Sequence, residues 1–241
     1  MNETRAIEIS DASLQRKARA AGVLYLLTIV TGVFSQVFVS DRLVAAEPAV
    51  TAQNILANSD LFRLGYTVYL IEMACNIAMT AVFYDLLRPA GKGLSFLAAM
   101  LGLAGCIIKT MSRLFYLAPL SVLGNEHYLA AFSGPQLESL AQLLLRLNAQ
   151  GAGMALVFFG FYALVKGWLI LRSTFLPRFL GVLSLAGGVG WLAFLSPPFG
   201  SRVFPYVALI GLLGALTTVV WLLVKGVDTR RWKEQARAAA F

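Results

Sequence analysis

Four polar side chains stand inside otherwise apolar stretches: Glu72 and Asn76 within 61–87, and Lys109 and Arg113 within 94–120. A charge at the centre of a bilayer costs about 2.5 to 3.5 kcal/mol on insertion scales, so each needs a partner or a wet cavity. The two stretches are joined by Arg88-Pro-Ala-Gly-Lys-Gly93, a turn sequence. Folding the chain there sets Glu72 opposite Lys109, and Cys75 beside Cys106. Glu72 and Asn76 are four residues apart, as are Lys109 and Arg113, which puts each pair on one helical face. The pattern predicts a Glu72–Lys109 ion pair, extended along the hairpin by Asn76 and Arg113.

Other polar residues fall in the same half of the expected bundle: Gln36 near the end of the first apolar stretch, and Arg146, Asn148 and Gln150 near the start of the fourth. With Tyr69 and Tyr116 they are expected to line a cavity open to the outside. Lys109, Arg113 and Arg146 outnumber Glu72, a balance that suits a small anionic or carboxylate-bearing ligand. A structural reading stands beside this one. Arg113 lies about 28 Å along its helix from Leu94, close to the outer interface, where long side chains snorkel and pair for structural reasons alone.

No other constellation carries chemistry. His127 has no second histidine, cysteine or paired carboxylate at ligand spacing, so no metal is expected. Nucleophile-elbow, zincin, phosphate-loop and dinucleotide motifs are all missing, and no cofactor is implied. Cys75 and Cys106 read as small core residues. Asp85 is expected to meet Arg88 or water, and Gly102, Gly105, Gly187, Gly188, Gly211 and Gly214 to allow close helix packing.

The elements that must position these residues follow from composition. Of 241 residues, 59% are hydrophobic and 13% charged, and mean hydropathy is +0.74; soluble domains average about 25% charged. The chain reads as all-α, a single polytopic membrane domain over 1–241 with six spans at about 20–39, 61–87, 94–120, 152–171, 179–195 and 203–224. Short interfacial helices are expected on the outer side at about 48–58 and 135–150. A helix from Gln136 to Leu171 would reach about 54 Å, more than a bilayer needs, so a bend is expected at Gly151 and Gly153. The apolar run from Ala20 to Val39 is too long for a signal peptide's core and is kept as a span.

Orientation follows from the 20 Lys and Arg residues. Fourteen fall in segments that the span order places on one side, among them Lys166, Arg172 and Arg178, against Arg42, Arg63, Arg146 and Arg202 on the other. The positive-inside rule then puts both termini in the cytoplasm. The net charge of +8 is spent on span ends rather than gathered on a solvated face, which excludes nucleic acid as a partner.

The residues Arg19 and Gly22 to Tyr25 entering the first span, Leu61-Phe-Arg-Leu-Gly65, Arg146-Leu-Asn148, Phe158-Phe-Gly160 and Arg172-Ser-Thr-Phe-Leu-Pro-Arg-Phe-Leu-Gly181 together resemble a bacterial multi-pass membrane family catalogued as domain of unknown function 4386. The resemblance covers nearly the whole chain. It implies a bacterial inner-membrane protein with the same number of spans and brings no activity with it.

The expected function is a small transporter or ligand-binding membrane protein built on the outer polar pocket. Two alternatives stand beside it. One is a structural or partner-binding subunit, including a homo-oligomer through glycine faces. The other is a lipid-modifying enzyme, for which Asp85 and His127 are the only seeds.

Overall fold

The computed structural model describes residues 10–124, 129 and 131–239, and every element among them is helical. α1 (Asp11–Val33) starts at Ser10, whose hydroxyl accepts from the Ser13 amide at 3.2 Å. It runs on through a π-helical turn, Phe34–Ser40, into α2 (Asp41–Leu43). α3 (Pro48–Ala57) has its proline in the first turn, where the missing N–H costs nothing. α4 (Ser59–Leu87) and α5 (Lys92–Leu123) form the hairpin about Arg88–Ala90, and α6 (Gly134–Arg172), α7 (Arg178–Trp191), α8 (Pro197–Val224) and α9 (Thr229–Ala238) follow. Gly226, at φ 68°, ends α8 in the left-handed conformation, its amide bonding the Trp221 carbonyl at 3.0 Å.

Six of these helical segments are long and apolar enough to cross a membrane: Asp11–Leu43, Ser59–Ala90, Lys92–Leu123, Gly134–Arg172, Arg178–Leu195 and Pro197–Val224. Each packs on the next in chain order, and α8 returns to pack on α1, closing a ring. Large apolar side chains cover the outside of the ring, among them Ile107, Leu114, Val182, Val189, Leu209 and Val220, each more than half exposed. Such a surface is insoluble in water and natural in lipid. The protein is a multi-pass membrane protein.

Lys233 Nζ meets Asp11 Oδ1 at 2.6 Å, so the two ends of the described chain lie on one face of the ring, here the terminal face. The bundle is packed solid there around Leu14, Phe83, Leu86, Leu169, Leu180 and Trp232. Trp232 Nε1 donates to the Leu86 carbonyl at 2.8 Å, satisfying an acceptor that the end of α4 leaves free. At the opposite face, the mouth, Val39, Ile55, Phe62, Tyr69 and Tyr116 form a second, smaller core.

α6 is longer than sequence reasoning allows for. Its 39 residues run without interruption past Gly151 and Gly153, and residues 135–150 are its first turns rather than a separate interfacial helix. The glycines allow close approach of neighbouring helices. A Cβ on Gly151 would sit 2.6 Å from Ser112 Cβ, and one on Gly153 would sit 3.1 Å from the Phe194 ring. On the other side of α6, Gly160 faces Gly188 and Gly167 faces Gly181 of α7; a Cβ at any of the four would come within 2.8 to 3.0 Å of a carbonyl oxygen across the interface. A Cβ on Gly187 would lie 3.7 Å from Gly211 Cα of α8, so these glycine faces are occupied within the chain.

Candidate functional site

The ring encloses a cavity of about 730 Å³ that opens at the mouth and is lined by all six spans. Its polar wall comes from α4 and α5. Lys109 Nζ donates to Glu72 Oε1 at 2.6 Å, with side-chain exposures of 16% and 6%. The other carboxylate oxygen, Oε2, is buried and meets no donor among the described residues. One turn nearer the mouth, the Arg113 guanidinium, 3% exposed, lies 3.6 Å from the centre of the Tyr69 ring. Its Nη1 donates to Asn148 Oδ1 of α6 at 2.9 Å, while its Nε is buried with no acceptor among the described residues. No carboxylate lies within ion-pair distance of Arg113 among the described residues.

The π turn supplies the facing wall. Extra residues per turn widen a helix locally and re-aim its side chains. Here Gln36 Oε1 accepts from the Tyr69 hydroxyl at 3.0 Å, and Ser40 Oγ lies 3.1 Å from the same hydroxyl. Gln36 Nε2 donates to Asp41 Oδ1 at 2.8 Å. Beneath the turn, Val39 fills the notch at Gly65, where a Cβ would fall 2.7 Å from Val39 Cγ1. The deeper walls are apolar: Ile29 and Val33 of α1, Leu156 of α6, Ala208, Leu212 and Ala215 of α8. Trp191, Phe194 and Phe204 stand at the α7–α8 corner.

Of the eight residues the sequence singles out, five line this cavity: Gln36, Glu72, Lys109, Arg113 and Asn148. The other three do not. Arg146 and Gln150 are exposed on the outside of α6, because each is two residues from Asn148 and so about 200° around the helix from it. Asn76 is half-buried, one turn below Glu72 toward the terminal face, and misses the lining. The positive excess expected from Arg146 is therefore absent, and Asp41 adds a carboxylate that apolarity patterns did not mark.

Lys166 is a further departure. Counted from the sequence among the terminal-side charges, it is 5% exposed inside the bundle, its ammonium 5.2 Å from the Tyr25 and Phe83 ring centres and 5.1 Å from that of Tyr162. Aromatic faces attract a cation, which replaces the missing carboxylate. Tyr25 also lines the cavity, so this cluster lies directly beneath its floor. Asp85 pairs with Lys17 at 2.8 Å and not with Arg88, whose guanidinium lies over the Tyr84 ring. Cys75 and Cys106 are free thiols. No group of three metal-ligating side chains occurs among the described residues, and His127 lies outside them.

The sequence pattern of the family described as "Domain of unknown function (DUF4386)" matches residues 20–226, which takes in all six spans. The chain belongs to the DUF4386 family. An uncharacterised protein of the archaeon Archaeoglobus fulgidus is similar to it, 25% identical over 181 residues that make up 72% of this chain and 93% of that one. No solved structure matches the chain. Family membership brings no activity with it, and the chemistry has to be argued from the cavity.

Proposed function

We propose that this protein binds a small anionic ligand in the mouth cavity, as a transporter or a ligand-binding membrane protein. Arg113 carries the reading. A guanidinium 3% exposed, with no carboxylate in reach and one protein hydrogen bond, retains donors suited to a carboxylate or phosphate. Burying an uncompensated charge is costly, and an anionic ligand offsets that cost. Glu72 and Lys109 neutralise each other beside it, so the net charge of the α4–α5 wall is that of Arg113, while Asp41 on the facing wall accepts from Gln36 and makes no ion pair with Arg113 among the described residues.

The membrane in question is the cytoplasmic one, with both termini inside and the cavity open to the outside. The charge distribution supports this orientation: with Lys166 moved into the bundle, thirteen Lys and Arg residues remain on the terminal side against four on the mouth side.

The test is a thermal-shift series on the purified protein in a neutral maltoside detergent, with benzoate, glutamate and inorganic phosphate as probes. At least one anion is expected to raise the unfolding temperature of the wild type and to lose that effect in Arg113→Gln. Equal shifts in wild type and variant, or none in either, would overturn the reading. Uptake of the stabilising anion into proteoliposomes then separates transport from binding.

A further inference from the structure

We infer that the ligand is an anionic amphiphile, one carboxylate or phosphate head on a single apolar chain, drawn from the mouth-side leaflet. This rests on the reading of Arg113 as an anion site and adds the depth and shape of the cavity to it.

The depth comes from α7. From Arg178 through the 3-10 turn to Leu195 this span has 18 residues, about 27 Å, close to the roughly 30 Å thickness of a hydrocarbon core. Its upper end therefore marks the hydrocarbon boundary on the mouth side. Phe194 at that end packs against Gly153 of α6. Asn148 is five residues further toward the mouth, about 7.5 Å higher. The Arg113–Asn148 pair thus stands at the outer edge of the lipid headgroup layer, which occupies about the next 5 to 7 Å beyond the core.

The polarity of the cavity follows the same axis. At headgroup level it offers Arg113, Asn148, Gln36 and Ser40, with Asp41 tied to Gln36; below them Ile29, Val33, Leu156, Leu212 and Ala215 form a mostly apolar shaft, interrupted on one wall by the mutually paired Glu72 and Lys109 and by Thr28, that ends at Tyr25. Gln36 and Tyr25 are eleven residues apart along the first span, roughly 16 Å of shaft. A small hydrophilic anion would leave that shaft without a partner. A head on Arg113 with a chain hanging toward Tyr25 matches both parts and keeps the orientation the molecule has in its leaflet.

The wall also has an entrance. α6 continues nineteen residues above Gly153, about 28 Å, and α5 eleven residues above Ser112, about 16 Å, whereas α7 and α8 turn over at Ser196. Over that corner the ring is low, and Phe194 and Phe204, ring centres 6.1 Å apart, form its sill. A lipid-like molecule can cross it sideways without leaving the headgroup layer.

The experiment uses the full-length protein in phosphatidylcholine nanodiscs with 11-(dansylamino)undecanoic acid as probe, read by energy transfer from tryptophan. Saturable binding is expected, at least tenfold weaker for the neutral methyl ester and for Arg113→Gln, and displaced by palmitate or palmitoyl lysophosphatidate; the tighter displacer identifies the head. Ala208→Trp, which fills the shaft, is expected to weaken the probe by a similar factor. If acid and ester bind wild type equally, the inference is overturned even where Arg113→Gln fails to fold. If benzoate or phosphate binds through Arg113 while the dansyl acid does not, the inference falls and the anion site stands. If no anion binds at all, both fall.

Discussion

Lys109 and Glu72, 37 residues apart in sequence, meet at 2.6 Å across the α4–α5 hairpin and fix its register part-way down the cavity, level with Gly32. A Cβ on Gly32 of α1 would lie 3.1 Å from Glu72 Oε1, so the first span closes over the pair and keeps most water from it. A pair held this way is sensitive to the loss of one partner and tolerant of the loss of both.

Glu72→Gln is expected to destabilise the protein by about 3 kcal/mol, because Lys109 is left without its counter-charge. Glu72→Gln combined with Lys109→Met should recover much of that loss. Thermal unfolding in detergent measures both; a double variant no better than the single one would show that the pair does not act as a unit.

Lys166→Met removes a buried cation that has aromatic faces but no ion-pair partner around it among the described residues. The thioether fills similar space without a desolvated charge, so the unfolding temperature is expected to stay level or rise. Lys166→Glu in the same aromatic surroundings should prevent folding or lower expression sharply, as read by fluorescence-detected gel filtration.

Gly167→Ala and Gly93→Ala should differ in sign. At Gly167 the added methyl meets the Gly181 carbonyl at 2.8 Å and pushes α6 from α7, whereas at Gly93 nothing lies within 4 Å. Helix propensity alone favours alanine by about 1 kcal/mol, so Gly93→Ala is expected to be neutral to stabilising and Gly167→Ala destabilising. Comparative melting of the two variants decides it.

Trp232→Phe retains most of the buried ring but leaves the Leu86 carbonyl unpaired, an expected cost of about 1 kcal/mol. Trp232→Ala removes the ring from the terminal core as well and should cost about 3 kcal/mol or more. Limited proteolysis is expected to cut near α9 faster in the alanine variant than in the phenylalanine variant.

Carboxy-terminal fusions test orientation. Green fluorescent protein at that end is expected to fluoresce and alkaline phosphatase to stay inactive in a bacterial host, since the terminal side holds most of the Lys and Arg residues. The opposite pattern would put the cavity on the cytoplasmic side.

What the sequence determined by itself is what depends on one helix or on two consecutive ones. Span number follows from apolar run length, and the Glu72–Lys109 contact follows from a short turn, because a tight hairpin leaves little freedom in depth. The tertiary structure decided which helix faces look inward. Arg146, Asn148 and Gln150 share one stretch of polar sequence, yet only Asn148 reaches Arg113, because the rotation of α6 is set by glycine contacts to α5 and α7. Asp41, Trp191, Phe194 and Phe204 join the cavity only when α8 closes the ring on α1, a contact between chain ends that no local pattern encodes. Lys166, inside the fourth span, counts by sequence with the terminal-side charges because a lysine's usual reason to lie near a span end is water, and only the packed rings of Tyr25, Phe83 and Tyr162 supply another.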